Sequence, residues 1–177
     1  MSSRLDSKTI QTPATSAFEL NDTRGVRVQG TVLALALRPE KGEAMALAER
    51  LSLTPENGVI GDHGTSKRRQ VSLLDVAAWQ AACSEAGTTL PWTTRRSNIL
   101  VQIEGTDLQS LVGRSIQLGT AHVEVLGEVT PCHFMDAAHD GLKDALASDW
   151  RGGVYARIIE SGVVTPNDVI SQIHSSQ

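Results

Sequence analysis

From residue 26 to residue 173 the apolar residues come in short runs, and almost every run is closed within a few positions by Gly, Pro, Asn or Asp. Alternation with a period of two sends side chains to opposite faces of an extended chain, and runs of this length are strand length. Residues 26–37 alternate at Val26 and Val28, turn apolar from Val32 onward, and predict a first long strand ended by Pro39 and Gly42. Further strands are predicted at 70–74, 99–103, 115–118, 121–129, 154–159 and 168–173. Gly119-Thr120 makes the pair around it a hairpin, Ser161-Gly162 turns the chain again, and 163–167 crosses to the last strand. Strands joined by tight turns instead of regular helices argue against a doubly wound sheet. They predict a mainly β fold, an antiparallel Greek-key-like β-barrel with a few peripheral helices.

Only two segments read clearly as helix. Residues 75–86 carry Trp79, Ala82, Cys83 and Ala86 on one stripe, with Asp75 at the start and Gly87 after the end. Residues 140–147 place Leu142 and Leu146 at i and i+4. A single helical turn is expected within 105–113, anchored by Leu108 and Leu111. Residues 43–53 are ambiguous, because their Ala, Met, Leu and Glu favour helix by propensity.

The 177 residues are enough for one domain, expected at 25–174, behind a flexible tail at 1–24 rich in Ser, Thr, Asp and Gln. Residues after His174 are expected to fray. Aromatics make up only 3%, so the core must be built from Val, Leu, Ile and Ala. A net charge of -4 argues against nonspecific nucleic-acid binding. Two cysteines do not make a disulfide scaffold. No apolar run reaches the ~18 residues of a membrane span, and the N-terminal stretch lacks the apolar core of a signal peptide. The expectation is a cytoplasmic protein with no membrane partner.

Cys132 stands in a loop between Pro131 and His133, just after a β-type run, where a thiol is placed for chemistry. A nearby cation would favour its thiolate; a half-buried structural cysteine is the alternative. Cys83, on the apolar stripe with Trp79, reads as inert core. Arginines gather at predicted strand ends: Arg68, Arg69, Arg95, Arg96, Arg114, Arg151 and Arg157. If several converge on Cys132, the result is an anion pocket with a soft thiol; otherwise they pair with the 20 acids on the surface. Arg68 and Arg114 are assigned to the surface. The loop 58–64 has neither Walker nor Rossmann glycine spacing, and its Asp62-His63 pair is either a site element or a capped turn. No Cys-x-x-Cys or His-x-x-x-His spacing accompanies His133 and His139, so zinc is not expected.

Pro131-Cys132-His133-x-Met135, Gly141-Leu142 and Trp150-Arg151-Gly152-Gly153-Val154-Tyr155-Ala156-Arg157 together resemble the signature of the MOSC domain, named for the C-terminal part of the eukaryotic molybdenum cofactor sulfurase. The resemblance reaches back through Arg95-Arg96-Ser97-Asn98-Ile99 and forward to Gly162 and Asp168, covering roughly residues 26–172. It implies a β-barrel of the MOSC, pyruvate-kinase-barrel-like kind, with an irregular strand in the ambiguous 43–53 segment. It also implies binding of the molybdenum cofactor, a pterin (molybdopterin) with a phosphate and a dithiolene. Cys132 takes the place of the cysteine proposed to carry sulfur as a persulfide or to ligate molybdenum. Arg96 and Asn98 match the family's Arg-x-Asn element, which contacts the pterin or its phosphate. Arg151, Gly152 and Gly153 match its Arg-Gly-Gly, where glycine lets a ligand approach the backbone. His63, in an element similar to one beside the family's pocket, and Arg69 complete the cofactor-binding candidates. Arg96, Asn98 and Arg151 are therefore expected to line one cavity with Cys132.

Asn167-Asp168 stands where the family usually has Gly-Asp, and no pyridoxal-phosphate or redox partner domain is recognisable, so pyridoxal phosphate is not expected on this chain itself. Two functions are implied. One is sulfur transfer or cofactor-dependent reduction of N-hydroxylated compounds through Cys132, with a sulfur-donor or reductase protein as partner. The other is a noncatalytic cofactor-binding or delivery module.

Overall fold

A computed structural model describes residues 27–64 and 66–173. The tail expected at 1–24 and the frayed end after His174 lie outside the described residues. The strands are β1 (Arg27–Leu37), β2 (Ala46–Ala48), β3 (Leu51–Thr54), β4 (Gly58–Val59), β5 (Val71–Asp75), β6 (Ile99–Ile103), β7 (Ser115–Leu118), β8 (Ala121–Glu128), β9 (Val154–Glu160), β10 (Gly162–Val164) and β11 (Val169–Gln172). The helices are α1 (Val76–Glu85), α2 (His133–Ala138) and α3 (Leu142–Ala147).

Seven strands close on themselves in the order β1-β11-β7-β8-β9-β5-β6 and back to β1, the barrel expected from the alternation. Every pairing in this ring is antiparallel except β5 with β6, which run parallel. A parallel neighbour needs a crossover, and α1 supplies it. Register shifts in β1, between Val28 and Gly30 and between Val32 and Ala34, bend the long strand so that it serves β11, β6 and β2.

Inward residues alternate as the pattern requires. Ala121, Val123 and Val125 of β8, Ile116 and Leu118 of β7, and Val154, Ala156 and Ile158 of β9 fill the barrel. The parallel pair is buried on both faces. Leu73 and Ile99 point into the barrel, while Leu74 and Leu100 face a second cluster with Trp79, Ala82, Met135, Leu142 and Leu146. This explains why β5 and the start of β6 read as continuous apolar runs. The helices lie against this outer face. Asp75 caps α1 by accepting from Ala78 N at 3.0 Å, and its other oxygen takes Ile103 N at 3.1 Å, so the cap also ties α1 to β6.

The ambiguous segment is extended. Leu51 and Leu53 are 1% exposed on β3, which pairs with β4 and β10. Burial of two alternating leucines outweighs the few tenths of a kcal/mol per residue that helix propensity offers. The crossing at 163–167 likewise begins as β10, paired to β3.

Candidate active site

Several parts of the chain meet at one end of the barrel: Arg38 and Met45 after β1, Asp62, Gly64 and Arg69 between β4 and β5, the 3₁₀ turn Trp92–Arg95 with the residues before β6, and the segment from Thr130 into α2. They enclose a cleft of about 280 Å³ whose walls include Arg38, Asp62, Arg69, Arg95, Arg96 and Cys132. A larger groove of about 600 Å³ runs along α1 past Trp79 and Trp92, but no charged side chain lines it. The smaller cleft is the one that gathers charged side chains and an exposed thiol.

Cys132 is free and exposed at the foot of α2. Arg95 is the residue that fixes the position of its loop. It is 5% exposed, donating from Nε to Gly152 O at 3.0 Å and from Nη2 to Val129 O at 2.5 Å. One guanidinium thus ties together the two ends of the excursion that carries Cys132. Burial, with the nearby charge of Arg69, pushes the Arg95 pKa down to about 10; negative charge at Cys132 and Glu128 works in the other direction. Arg69 is also lowered, first by burial and then by Arg38, against the opposing pull of Asp62 and Cys132. An anion in this cleft therefore offsets a cost already built into the fold.

Asn98 lines the cleft but is 5% exposed and fully engaged. Its Oδ1 accepts from Ser72 N and Ser72 Oγ, both at 3.1 Å, and its Nδ2 donates to Asp62 Oδ2 at 3.1 Å and to Ala36 O at 3.4 Å. It holds β1, β5, β6 and the Asp62 loop in one arrangement. Arg96 adopts a left-handed backbone, φ 60°, and lays its guanidinium 4.7 Å from the centre of the ring of Phe134, two residues after Cys132.

Arg69, Arg96 and Asn98 thus share the cleft with Cys132. Arg151 does not, contrary to the sequence expectation. Asp149 and Trp150 before it are both left-handed, with φ of 51° and 55°, and they turn Arg151 toward the helices. There it pairs with Glu85 and donates to Ala145 O at 3.1 Å. Gly152 and Gly153 stay off the cleft wall for a different reason than ligand approach. A Cβ on Gly152 would stand 2.6 Å from Val129 O and 3.0 Å from Arg95 Nη2, so this glycine makes room for the arginine clamp. Gly153, at φ 88°, sits where a Cβ would be 2.3 Å from Leu73 O. His63 is exposed and not part of the cleft wall; its backbone N–H donates to Arg38 O at 2.7 Å, and its neighbour Asp62 lines the cleft instead.

Sequence reasoning missed Arg38 and the clamp role of Arg95. A lone arginine at a strand end carries no motif, and the partners of Arg95 lie 34 and 57 residues away. Elsewhere, Arg157 pairs with Glu124 and Arg114 bonds Gln172, both at the surface. Among the described residues no three His, Cys, Asp or Glu side chains cluster as a metal-binding set.

The contrast between the thiols gives a direct expectation. Cys83 is 6% exposed against Trp79, whereas Cys132 is open to solvent. Limiting iodoacetamide near neutral pH is expected to label Cys132 first, because alkylation needs access and thiolate. Peptide mapping that found Cys83 modified ahead of it in the folded protein would remove Cys132 from the centre of the site.

Comparisons with known proteins agree with this architecture. No curated protein matches the chain in sequence. Among solved structures, the YuaD protein from Bacillus subtilis superposes with a TM-score of 0.67 at 19% identity, over 84% of this chain and 97% of that one. YiiM from Escherichia coli gives 0.60 at 16% identity, over 82% and 71%, and YiiM from Geobacillus stearothermophilus 0.59 at 13%, over 84% and 75%. These likenesses are of fold. The MOSC domain model matches residues 61–171, which hold β5 to β11 and nearly all of the cleft, and the chain belongs to the MOSC domain family.

Proposed function

We propose that the cleft binds the molybdenum cofactor and that Cys132 is its reactive group. The MOSC family is associated with this cofactor. The observation that carries the reading is the donor set itself: an exposed thiol in a cleft with four guanidiniums and one carboxylate, Asp62, whose oxygens each accept a hydrogen bond, from Arg38 N and Asn98 Nδ2. Such a set suits a ligand with a phosphate at one end and a soft centre at the other. Guanidiniums match phosphate oxygens, and a thiolate suits a soft, sulfur-bound metal. Bound there, the cofactor would supply redox chemistry at molybdenum that no side chain of this protein has.

The protein's own part is to hold and to react. Arg69 and Arg96 bind anionic groups, Arg95 fixes the loop, and Asn98 shapes the wall without spending a hydrogen bond on ligand. Cys132 either donates its thiolate to the metal or carries sulfur. In sulfur carriage its thiolate attacks the outer sulfur of a donor persulfide and the donor's thiolate leaves. As an oxidoreductase, the protein would reduce N-hydroxylated compounds with electrons from a separate reductase. A noncatalytic delivery module is the second reading, favoured by the shallow, open placement of the thiol.

Purification from a cofactor-producing host, followed by metal analysis and intact mass, tests this. The expected result is bound molybdenum or a 32 Da increment on Cys132, roughly one sulfur atom as a persulfide would add. Cys132→Ser is expected to lose either signal while keeping its melting temperature. Full cofactor retention and turnover in Cys132→Ser would refute the role of the thiol; retention without turnover in both proteins would leave the delivery module.

A further inference from the structure

The larger groove, along α1, holds no charged side chain and has a closed floor and open sides. Its floor is Trp79, Cys83 and Leu100, all buried members of the outer apolar cluster. Along its sides Val76, Leu90 and Trp92 are half-buried, and Gln80, Ser84 and Thr89 are exposed. The groove opens where α1 ends at Glu85 and the chain turns away through Gly87, at φ 72°, before it returns at Trp92. Trp79 Nε1 donates to Leu90 O at 3.1 Å, which pins the returning loop to the helix. The side chains of Gln80, Ser84 and Thr89 make no hydrogen bond among the described residues, and neither does the Trp92 indole N–H.

A concave apolar floor with a few free polar groups around it, at about 600 Å³, has the size and make-up of a small-molecule site. The lack of any charged lining residue decides what suits it. An ion would give up its hydration and meet no counter-charge. An uncharged aromatic body exchanges water for apolar contact and finds a flat partner in Trp92. Two of the chain's three tryptophans line this one groove. The groove also shares structure with the cleft. Trp92 begins the 3₁₀ turn that ends at Arg95, so the first residue of one turn lines the groove and the last lines the cleft. Met135 lines the cleft and packs in the same cluster as Trp79, Cys83 and Leu100. We infer that the groove is a second binding site, for an uncharged aromatic small molecule, and that filling it bears on the cleft through the Trp92–Arg95 turn and Met135. The site does not rest on what occupies the cleft.

N-phenyl-1-naphthylamine, uncharged and fluorescent in apolar surroundings, is the probe. The full chain is expected to bind it saturably, with energy transfer from tryptophan. Its sulfonated analogue, 8-anilino-1-naphthalenesulfonate, is expected to displace it poorly. Ser84→Trp, at an exposed helix position, fills the groove and is expected to weaken the probe by about 10-fold or more. Thr89→Trp, in the loop, is a second variant of the same kind should the first fail to fold. Leu47→Ser removes the most exposed large apolar side chain among the described residues, outside the groove, and is expected to bind as the parent does. Uptake without saturation, ready displacement by the sulfonate, or undiminished binding in both tryptophan variants would overturn the site. So would binding that appears only on dilution, which puts a second copy over the groove, or only after residues 1–24 are trimmed, which puts the chain's own N-terminal segment there. With the probe bound, alkylation of Cys132 by iodoacetamide is expected to slow by about 5-fold, and an unchanged rate would overturn the link to the cleft. Cys132→Ser separates the two proposals: it is expected to bind the probe normally while losing the chemistry of the thiol.

Discussion

Replacing Arg95 by methionine is expected to lower the stability of the folded protein by about 2–4 kcal/mol. The stem of methionine fills similar space, so the loss falls on hydrogen bonding. Val129 O and Gly152 O each lose a charged donor, and a buried group left unpaired costs roughly 1–3 kcal/mol. Removing a buried charge returns part of that. For a chain of this size the change corresponds to a melting temperature lower by about 5–15 °C. The loop between the two carbonyls should also open, so limited proteolysis is expected to cut within residues 130–151 first. Arg95→Lys should fall between, because one ammonium cannot serve two carbonyls in the fixed fork geometry. A variant that melts within a degree or two of the parent and resists cleavage there would show that the clamp is dispensable. The pH dependence has a definite sign. The folded-state pKa of Arg95 is held down at about 10, below the ordinary guanidinium value. Between these values the unfolded chain binds the extra proton, so this group's contribution to stability rises with pH in that window and is flat near neutrality. Arg95→Met is therefore expected to change stability at pH 7 without changing its slope with pH there.

Asn98→Leu is expected to be as damaging, costing about 2–5 kcal/mol. Leucine is close in volume, but it leaves Ser72 N, Ser72 Oγ and Asp62 Oδ2 without their partner in a buried setting. The Asp62 loop should loosen with it, and ligand affinity should fall through that loop although Asn98 has no free donor to give. Asn98→Asp distinguishes the network from simple volume. It keeps an acceptor for Ser72 but sets a second carboxylate against Asp62 where Nδ2 stood, 3.1 Å away. Like charges so close cannot both ionise without penalty. The destabilisation is expected to be smaller at acid pH, where one carboxyl holds a proton, and larger at neutral pH. Chemical denaturation at two pH values reads this, and an Asn98→Asp variant equally stable at both would sink the proposed arrangement.

These two residues show where legibility stops. Arg95 and Asn98 both stood in a recognisable motif, and both line the cleft that holds Cys132. Their spacing could not say that one clamps two carbonyls and the other is spent on β1, β5 and the Asp62 loop. A hydrogen-bond partner 26 to 62 residues away leaves no trace in a local pattern. Arg151, in the Arg-Gly-Gly element, went elsewhere, because two left-handed residues before it turned its side chain to Glu85.

By itself the sequence determined what depends on short range. Alternation decided which residues of β7, β8 and β9 face the barrel, since a pleated strand alternates whatever lies opposite. Asp75 and Gly87 bounded α1, because caps act within a turn. The placement of Cys83 on an apolar stripe and of Cys132 in a loop separated the buried thiol from the exposed one. Tertiary structure alone decided the rest. It made residues 46–54 extended by giving Leu51 and Leu53 a core to enter, and it joined β5 to β6 in parallel under α1. It also brought Arg38, thirty-one residues from Arg69 in the chain, to the same cleft. Barrel closure sets which loops meet at an end, and closure is a property of the whole ring of strands, not of any one of them.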